Sequence, residues 1–210
     1  VERVHEIPDL GRLSKGRSIA NVLELQAGEK IAAMKRIEGK YDDKKNDVTL
    51  RQDDKNIFFA TRSGTVKKTT LSDFANVRKG GIIAIKINEG DDLIDVKLTD
   101  GHDEVILITQ KGLSIRFNED NVRSQGRNTA GVRGIRVGAG DSVVSLAVVE
   151  SDHTLLVASE KGIGKRTVFD EYRVQSRGGK GIITMKTTDK TGGVVGALSV
   201  RDEDELMLIT

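Results

Sequence analysis

Apolar positions in this chain come in short runs, each closed by a glycine turn. Ile57-Phe58-Phe59-Ala60 precedes Gly64, Val105-Ile106-Leu107-Ile108 precedes Gly112, and Leu155-Leu156-Val157-Ala158 precedes Gly162. A fourth run, Leu206-Met207-Leu208-Ile209, opens near the last residue. Ten residues after each turn glycine stands Phe74, Val122 or Tyr172, and a second glycine recurs at Gly81, Gly131 and Gly181, fifty residues apart. The period is about 48 to 50 residues. Self-similarity at this spacing marks an array of one repeated supersecondary unit. An earlier copy shows where Ile7-Pro8-Asp9-Leu10 matches Leu71-Ser72-Asp73-Phe74, and where Ser14-Lys15-Gly16 matches Arg78-Lys79-Gly80. The polar insert 40–46 stretches its link to the next copy.

Each unit predicts four strands. The first is the apolar run, suited to a strand buried on both faces. Ser63-Gly64, Lys111-Gly112 and Lys161-Gly162 make the hairpin turn, where glycine supplies a positive φ. The second strand alternates, as in Leu113-Ser114-Ile115-Arg116-Phe117. A basic, glycine-containing loop of about ten residues follows. The third strand is expected at 82–87, 132–137 and 182–186, and the fourth at segments such as 143–149 and 194–200. Helix is nearly excluded, because no segment sustains a capped period of 3.6 residues. Ile31-Ala32-Ala33-Met34 would pass for one helical turn in isolation, but its repeat partners read as strand.

The predicted fold is all-β: a propeller-like array of four-stranded blades, in which each sheet buries its faces against its neighbours. A β-sandwich is the competing architecture, and it leaves the shared register of glycines unexplained. The WD and Gly-His signals of common propellers are absent. The expected partition is a partial first blade with the insert at 1–56, blades at 57–104, 105–153 and 154–204, and the first strand of a further blade at 205–210. That is about four blades and no closed ring. The start Val1-Glu2-Arg3-Val4, without an initiator Met, predicts a piece of something longer.

Composition narrows the chemistry. Among 210 residues aromatics make up 3%, so the core must be aliphatic. The absence of cysteine excludes disulfides, thiol nucleophiles and Cys-zinc sites. His5, His102 and His153 are too dispersed to suggest a histidine metal site. No apolar run approaches the roughly 18 residues of a membrane span, and no signal peptide opens the chain. A soluble, cytoplasmic protein is expected.

The net charge of +2, from 34 basic and 32 acidic residues, predicts no partner by itself. The repeat sorts the charges. The second strand and the following loop carry Lys67, Lys68, Arg78 and Lys79 in one unit, and Arg116, Arg123, Arg127, Arg133 and Arg136 in the next. The third unit has Lys165, Arg166, Arg173, Arg177 and Lys180, and the partial first unit has Arg12, Lys15 and Arg17. Acids gather at the connections between units: Asp100, Asp103 and Glu104, Glu150 and Asp152, and Asp202 to Glu205. A basic loop recurring once per blade becomes a basic stripe along one surface, which suits a polyanion. Gly178, Gly179 and Gly181 would let backbone N–H groups approach phosphate oxygens. With only Tyr172 near these loops, base stacking on single strands is disfavoured. Duplex DNA held by its backbone, with little sequence readout, is the predicted partner.

Catalysis is not expected. The chain has no Walker loop, no G-x-S-x-G and no carboxylate cluster beside a histidine. Gly178-Gly179-Lys180-Gly181 lacks the Lys-Ser/Thr ending and following helix of a nucleotide loop. The pairs Asp42-Asp43, Asp53-Asp54 and Asp91-Asp92 read as solvated turns.

The same loops carry a family resemblance. Gly126-Arg127-Asn128-Thr129-Ala130-Gly131-Val132-Arg133-Gly134-Ile135 and the stretch from Tyr172 to Ile183 resemble blade loops of the C-terminal domain of the DNA gyrase A subunit, as does Val4-His5-Glu6-Ile7-Pro8. The resemblance runs over essentially the whole chain. It implies a β-pinwheel of up to six blades that binds and wraps duplex DNA on its basic rim. It also implies that strand passage, ATP and Mg belong to other domains and to the enzyme's B subunit, with no cofactor in this chain. The family's hallmark box reads Gln, two basic residues, two Gly, a basic residue and Gly. Gly11 to Arg17 does not fit it; Gln175 to Gly181 does, with Ser176 in place of one basic residue. The resemblance thus gives Gln175, Arg177, Gly178, Gly179, Lys180 and Gly181 a DNA-contact role. Neither Tyr41 nor Tyr172 matches the strand-cleaving tyrosine. The related C-terminal domain of the topoisomerase IV A subunit and a propeller used for protein interaction are the alternatives.

Overall fold

A computed structural model describes residues 7–16, 18, 23, 25, 28–42, 47–50, 54–76 and 81–207. Its strands, in chain order, are β1 (Gly39–Asp42), β2 (Asp47–Leu50), β3 (Asn56–Thr61), β4 (Thr65–Thr70), β5 (Leu93–Thr99), β6 (Glu104–Thr109) and β7 (Leu113–Asn118). They continue as β8 (Val132–Arg133), β9 (Val143–Val149), β10 (Thr154–Ser159), β11 (Gly164–Val168), β12 (Ile182–Ile183) and β13 (Val194–Val200). Three short 3-10 turns, Leu71–Phe74, Glu119–Asn121 and Phe169–Glu171, follow the second strand of successive units. No α-helix occurs among the described residues. Residues 31–34 form neither the helical turn nor the strand that their pattern offers.

The apolar runs form strands, as the repeat predicts, and each is an inner strand of its sheet. Those sheets run β5-β3-β4-β8, β12-β7-β6-β9 and β11-β10-β13, with β1 and β2 pairing separately as an antiparallel hairpin. All their pairings are antiparallel. β6 shows why its run lacks alternation. Val105 and Leu107 point into a core shared with the preceding blade, where they meet Phe58, Val66, Ile115, Phe117 and Leu146. Ile106 and Ile108 point the other way, to Leu155, Val157, Phe169, Tyr172 and Val194 of the following blade. All four are fully buried. Each such side chain contributes roughly 1.5–3 kcal/mol by leaving water, so sheet stacking holds the array together.

Two expectations change. The third strands are shorter than the sequence suggests: only Val132–Arg133 and Ile182–Ile183 pair, and 82–87 contains no strand. They also belong to a different sheet. β8 pairs with β4 of the preceding unit, and β12 pairs with β7. A unit of sequence and a blade of structure are therefore offset, with each unit lending its third strand backward to complete the sheet before it. The glycine recurring every fifty residues makes this crossing possible. Gly131 and Gly181 have φ of 95° and 78°. A Cβ at Gly131 would overlap the carbonyl of Val66, and one at Gly181 would overlap that of Ser114. Only glycine takes both the conformation and the contact.

Candidate nucleic-acid interface

The basic loops lie where this exchange happens. After its 3-10 turn the chain runs beside the second strand of the preceding blade, and the Gln125 N–H donates to the Lys68 carbonyl at 2.8 Å. One unit later the Gln175 N–H donates to the Arg116 carbonyl at 2.9 Å. Beyond the crossing glycine, the N–H groups of Gly134 and Ile135 both bond the Gly64 carbonyl, and those of Thr184 and Met185 bond that of Gly112. Each loop is thereby clamped at both ends to the blade before it.

Successive loops also bond one another. The Lys86 N–H donates to the Thr129 carbonyl at 3.0 Å, and the Arg136 N–H to the Gly179 carbonyl at 2.8 Å. The Gly178 N–H donates to the Gly134 carbonyl at 2.5 Å. Segments 84–86, 127–136 and 177–181 form one continuous band of backbone. On it Arg133, Arg136 and Lys180 are exposed and Arg127 is half-buried, and Arg123 and Arg173 are exposed where the same loops leave their 3-10 turns. None of the six makes an ion pair with an acid among the described residues. Acids gather at the blade connections, where Asp100, Asp152, Asp202, Glu203, Asp204 and Glu205 are exposed, while Asp120, Asp170 and Glu171 are exposed in the 3-10 turns that open the basic loops.

Not every predicted contact is on this band. Arg12 and Lys15 are exposed in the segment 7–16, which no described bond joins to the loops. Arg17, Arg78 and Lys79 lie outside the described residues. Lys165 and Arg166 are exposed on β11, and Arg166 pairs with Asp202 at 2.6 Å. Gln175 keeps its side-chain Nε2 buried and without a partner. Gly178, Gly179 and Gly181 are in the band, half-buried, with φ of 82° at Gly178. The Arg177 guanidinium is engaged: Nε donates to the Asn121 carbonyl at 2.8 Å and Nη1 to the Arg133 carbonyl at 3.0 Å.

Lys67, Lys68 and Arg116 depart from the expected role, since the first two are buried, Arg116 is half-buried and all three bond protein groups. Lys68 Nζ donates to the Glu119 carbonyl at 3.1 Å and sits 3.5 Å from its carboxylate. That buried carboxylate also accepts from the Thr99 hydroxyl (2.8 Å) and from the Gly101 and Asp103 N–H groups (2.8 and 3.0 Å). Arg116 occupies the same place one unit on, four residues after its turn glycine. It reaches the carbonyls of Phe169 (2.6 Å) and Tyr172 (3.3 Å) in the next 3-10 turn while pairing with Glu104. This position is a staple between blades. Lys67 is wholly buried, with Nζ bonded to the carbonyls of Ala84 (2.7 Å) and Arg127 (2.5 Å) and 5.6 Å above the Phe59 ring. Burial pulls its pKa down to about 8, against a weaker upward pull from Asp73. Charge counting along the sequence misses Lys67 and Lys68 because Val66 to Thr69 are buried on both faces of the sheet, and misses Arg116 because its carbonyl partners lie about fifty residues on. Conversely, Gln125 stands fifty residues before Gln175 and plays the same backbone role, a correspondence the repeat already carried.

Asp100, Asp103 and Glu119 bring carboxylate oxygens within 4.8 Å of one another. Those oxygens already accept backbone N–H groups of Asp100, Gly101, His102 and Asp103, so the cluster caps a turn. Burial raises the pKa of Asp103, opposed by its bond from Asp100. No described helix is long and apolar enough to cross a membrane.

A family of protein sequences described as the DNA gyrase C-terminal domain, beta-propeller, matches residues 3–38, 55–100, 103–150 and 153–201. The gap between the first two matches contains the β1-β2 hairpin. The DNA gyrase A subunit from Clostridium acetobutylicum is 47% identical over 209 residues, covering 99% of this chain and 24% of the relative. That from Salmonella typhimurium is 43% identical over 208 residues, covering 99% and 22%. The chain thus spans about a quarter of the length of these relatives. Among solved structures, the C-terminal domain of DNA topoisomerase IV superposes with a TM-score of 0.78 at 28% identity, over 95% of this chain and 59% of that one. The DNA gyrase A C-terminal domain gives 0.75 at 28% identity, over 91% and 60%.

Proposed function

Because the chain belongs to the DNA gyrase C-terminal domain family, we propose that it binds duplex DNA along the band of basic loops and bends it around the blades. The observation that carries this reading is the band itself: hydrogen-bonded loops of successive units, bearing six cations with no acidic partner among the described residues. A duplex presents one charge per about 1.7 Å of axis, and each phosphate neutralised releases condensed counterion. Bending 20–30 base pairs by 40–90° costs of order 1–6 kcal/mol, which loops in series share and a single loop does not. The chain itself performs no chemistry in this scheme. In the whole enzyme the bent duplex feeds ATP-dependent strand passage by the rest of the A subunit and by the B subunit, where ATP and magnesium are held, and the product is negative supercoils. The compartment that goes with this partner is the cytoplasm. Relatives at 43–47% identity that are gyrase A subunits favour this over a topoisomerase IV role.

Fluorescence anisotropy of a mixed-sequence duplex across a salt series tests it. Six neutralised phosphates predict a slope of log K against log salt of about −5, with little dependence on sequence. A slope near zero, or binding confined to one sequence, rejects backbone recognition in favour of a protein-interaction module.

A further inference from the structure

Arg127 and Arg177 are equivalent by repeat, fifty residues apart in the same loop, yet their surroundings differ. At the junction between the first two complete blades, Lys67 reaches up from the core and takes the carbonyls of Ala84 and Arg127. Nothing described occupies the Arg127 guanidinium. At the next junction the place of Lys67, third after the turn glycine, is held by Ile115, which is apolar and fully buried. Among the described residues no cation bonds the Arg177 or Gly134 carbonyl from beneath, the places that match those held by Lys67. There Arg177 spans the junction from outside, with Nε on the Asn121 carbonyl and Nη1 on the Arg133 carbonyl, both in the preceding unit. The Gly178 N–H takes the Gly134 carbonyl, which corresponds to the Ala84 carbonyl held by Lys67. Besides the staple of Lys68 or Arg116, each junction thus has a cationic latch on the loop itself, supplied by a different residue from the opposite side.

We propose that Arg177 is a positioning residue, holding the loops of adjacent blades in fixed relation so that the duplex must curve between them, while Arg127 is the residue that meets phosphate. The inference rests on the DNA-bending reading above. It divides two arginines that the repeat makes look alike. Arg177 sets two separate nitrogens of one rigid plane on two carbonyls, an arrangement that the single Nζ of a lysine at this place would not reproduce; the two carbonyls at Lys67 instead converge on one Nζ. A phosphate contact, by contrast, tolerates lysine, because counterion release depends on charge. Arg177→Lys and Arg127→Lys therefore separate the two roles without changing net charge.

Two measurements on the full chain decide it. Amide exchange without DNA reads the latch directly: the Arg136 and Gly178 N–H groups should lose protection in Arg177→Lys and keep it in Arg127→Lys. Energy transfer between the ends of a bound duplex reads its consequence. Arg177→Lys should leave the salt slope on a duplex covering one loop unchanged and lose end-to-end shortening on a longer one, while Arg127→Lys keeps both. Arg127→Ala should make the slope shallower by about 0.9, the loss of one phosphate. Arg177→Gln, which keeps one amide donor, repeats the exchange experiment should the lysine variant fold poorly. Unchanged exchange in both Arg177 variants overturns the latch. Unchanged shortening with lost protection overturns its role in bending. If the unaltered chain shows no salt-dependent duplex binding, the parent reading fails instead, and exchange still decides whether the latch exists.

Discussion

Replacing Lys67 with methionine isolates the free energy of a buried ammonium. Lys67 is wholly buried and bonded to two carbonyls, and its pKa falls from an ordinary 10.5 to about 8 through desolvation. Below pH 8 the folded and unfolded chains both carry the proton, so the burial penalty is fully present. Between pH 8 and 10.5 the unfolded chain keeps the proton and the folded chain does not. Stability from this residue therefore rises with pH through that window and levels off above it. The interval corresponds to a ceiling of about 3 kcal/mol. Near pH 7 the methionine variant escapes the penalty but leaves the Ala84 and Arg127 carbonyls without their donor, at about 1–3 kcal/mol each. These opposing effects are similar in size, so a small change is expected there. At high pH only the loss remains, and Lys67→Met should be clearly the less stable chain. Urea unfolding of both chains from about pH 7 to about pH 10.5 measures the difference, from which other titrating groups cancel. Parallel stability curves would refute a desolvated lysine at this site.

Gly181→Ala combines a positive φ with overlap on the Ser114 carbonyl, so it should cost at least about 2 kcal/mol and release β12 from β7, seen as lost amide protection at Ile182. Protection retained at Ile182 would show that the crossing has room to relax. The double change Arg127→Glu and Arg133→Glu should weaken all duplexes alike, read by anisotropy, whereas Glu203→Gln should change little because that residue is exposed in an acidic connection. Equal effects of the two sets would mean that the band is not the contact.

The array was legible because apolar runs and glycines keep one period, and that period has one physical source in each case. Val105 to Ile108 are apolar throughout because both faces of β6 are covered, and Gly131 and Gly181 recur because the chain crosses a carbonyl there. The pairing partner of the third strand was not legible. Val132-Arg133 carries the same pattern whether it closes its own sheet or the one before it. Nor does a sequence distinguish Lys67 and Lys68 from exposed lysines, since alternation loses its meaning once both faces are buried. The loops were located correctly by charge and glycine, but the work of each arginine depends on neighbours fifty residues away.

The backward loan of the third strand also orders assembly in time. The sheet begun by β3 and β4 lacks its outer strand until residue 133 has been made, and the sheet of β6 and β7 until residue 183. During synthesis each unit finishes its predecessor before its own sheet is whole, so folding advances along the chain like overlapping roof tiles. Cutting the array at a boundary of the sequence repeat therefore always strips an edge from the blade left behind. A fragment meant to end on a complete middle blade must run past Ile183, well inside the following unit.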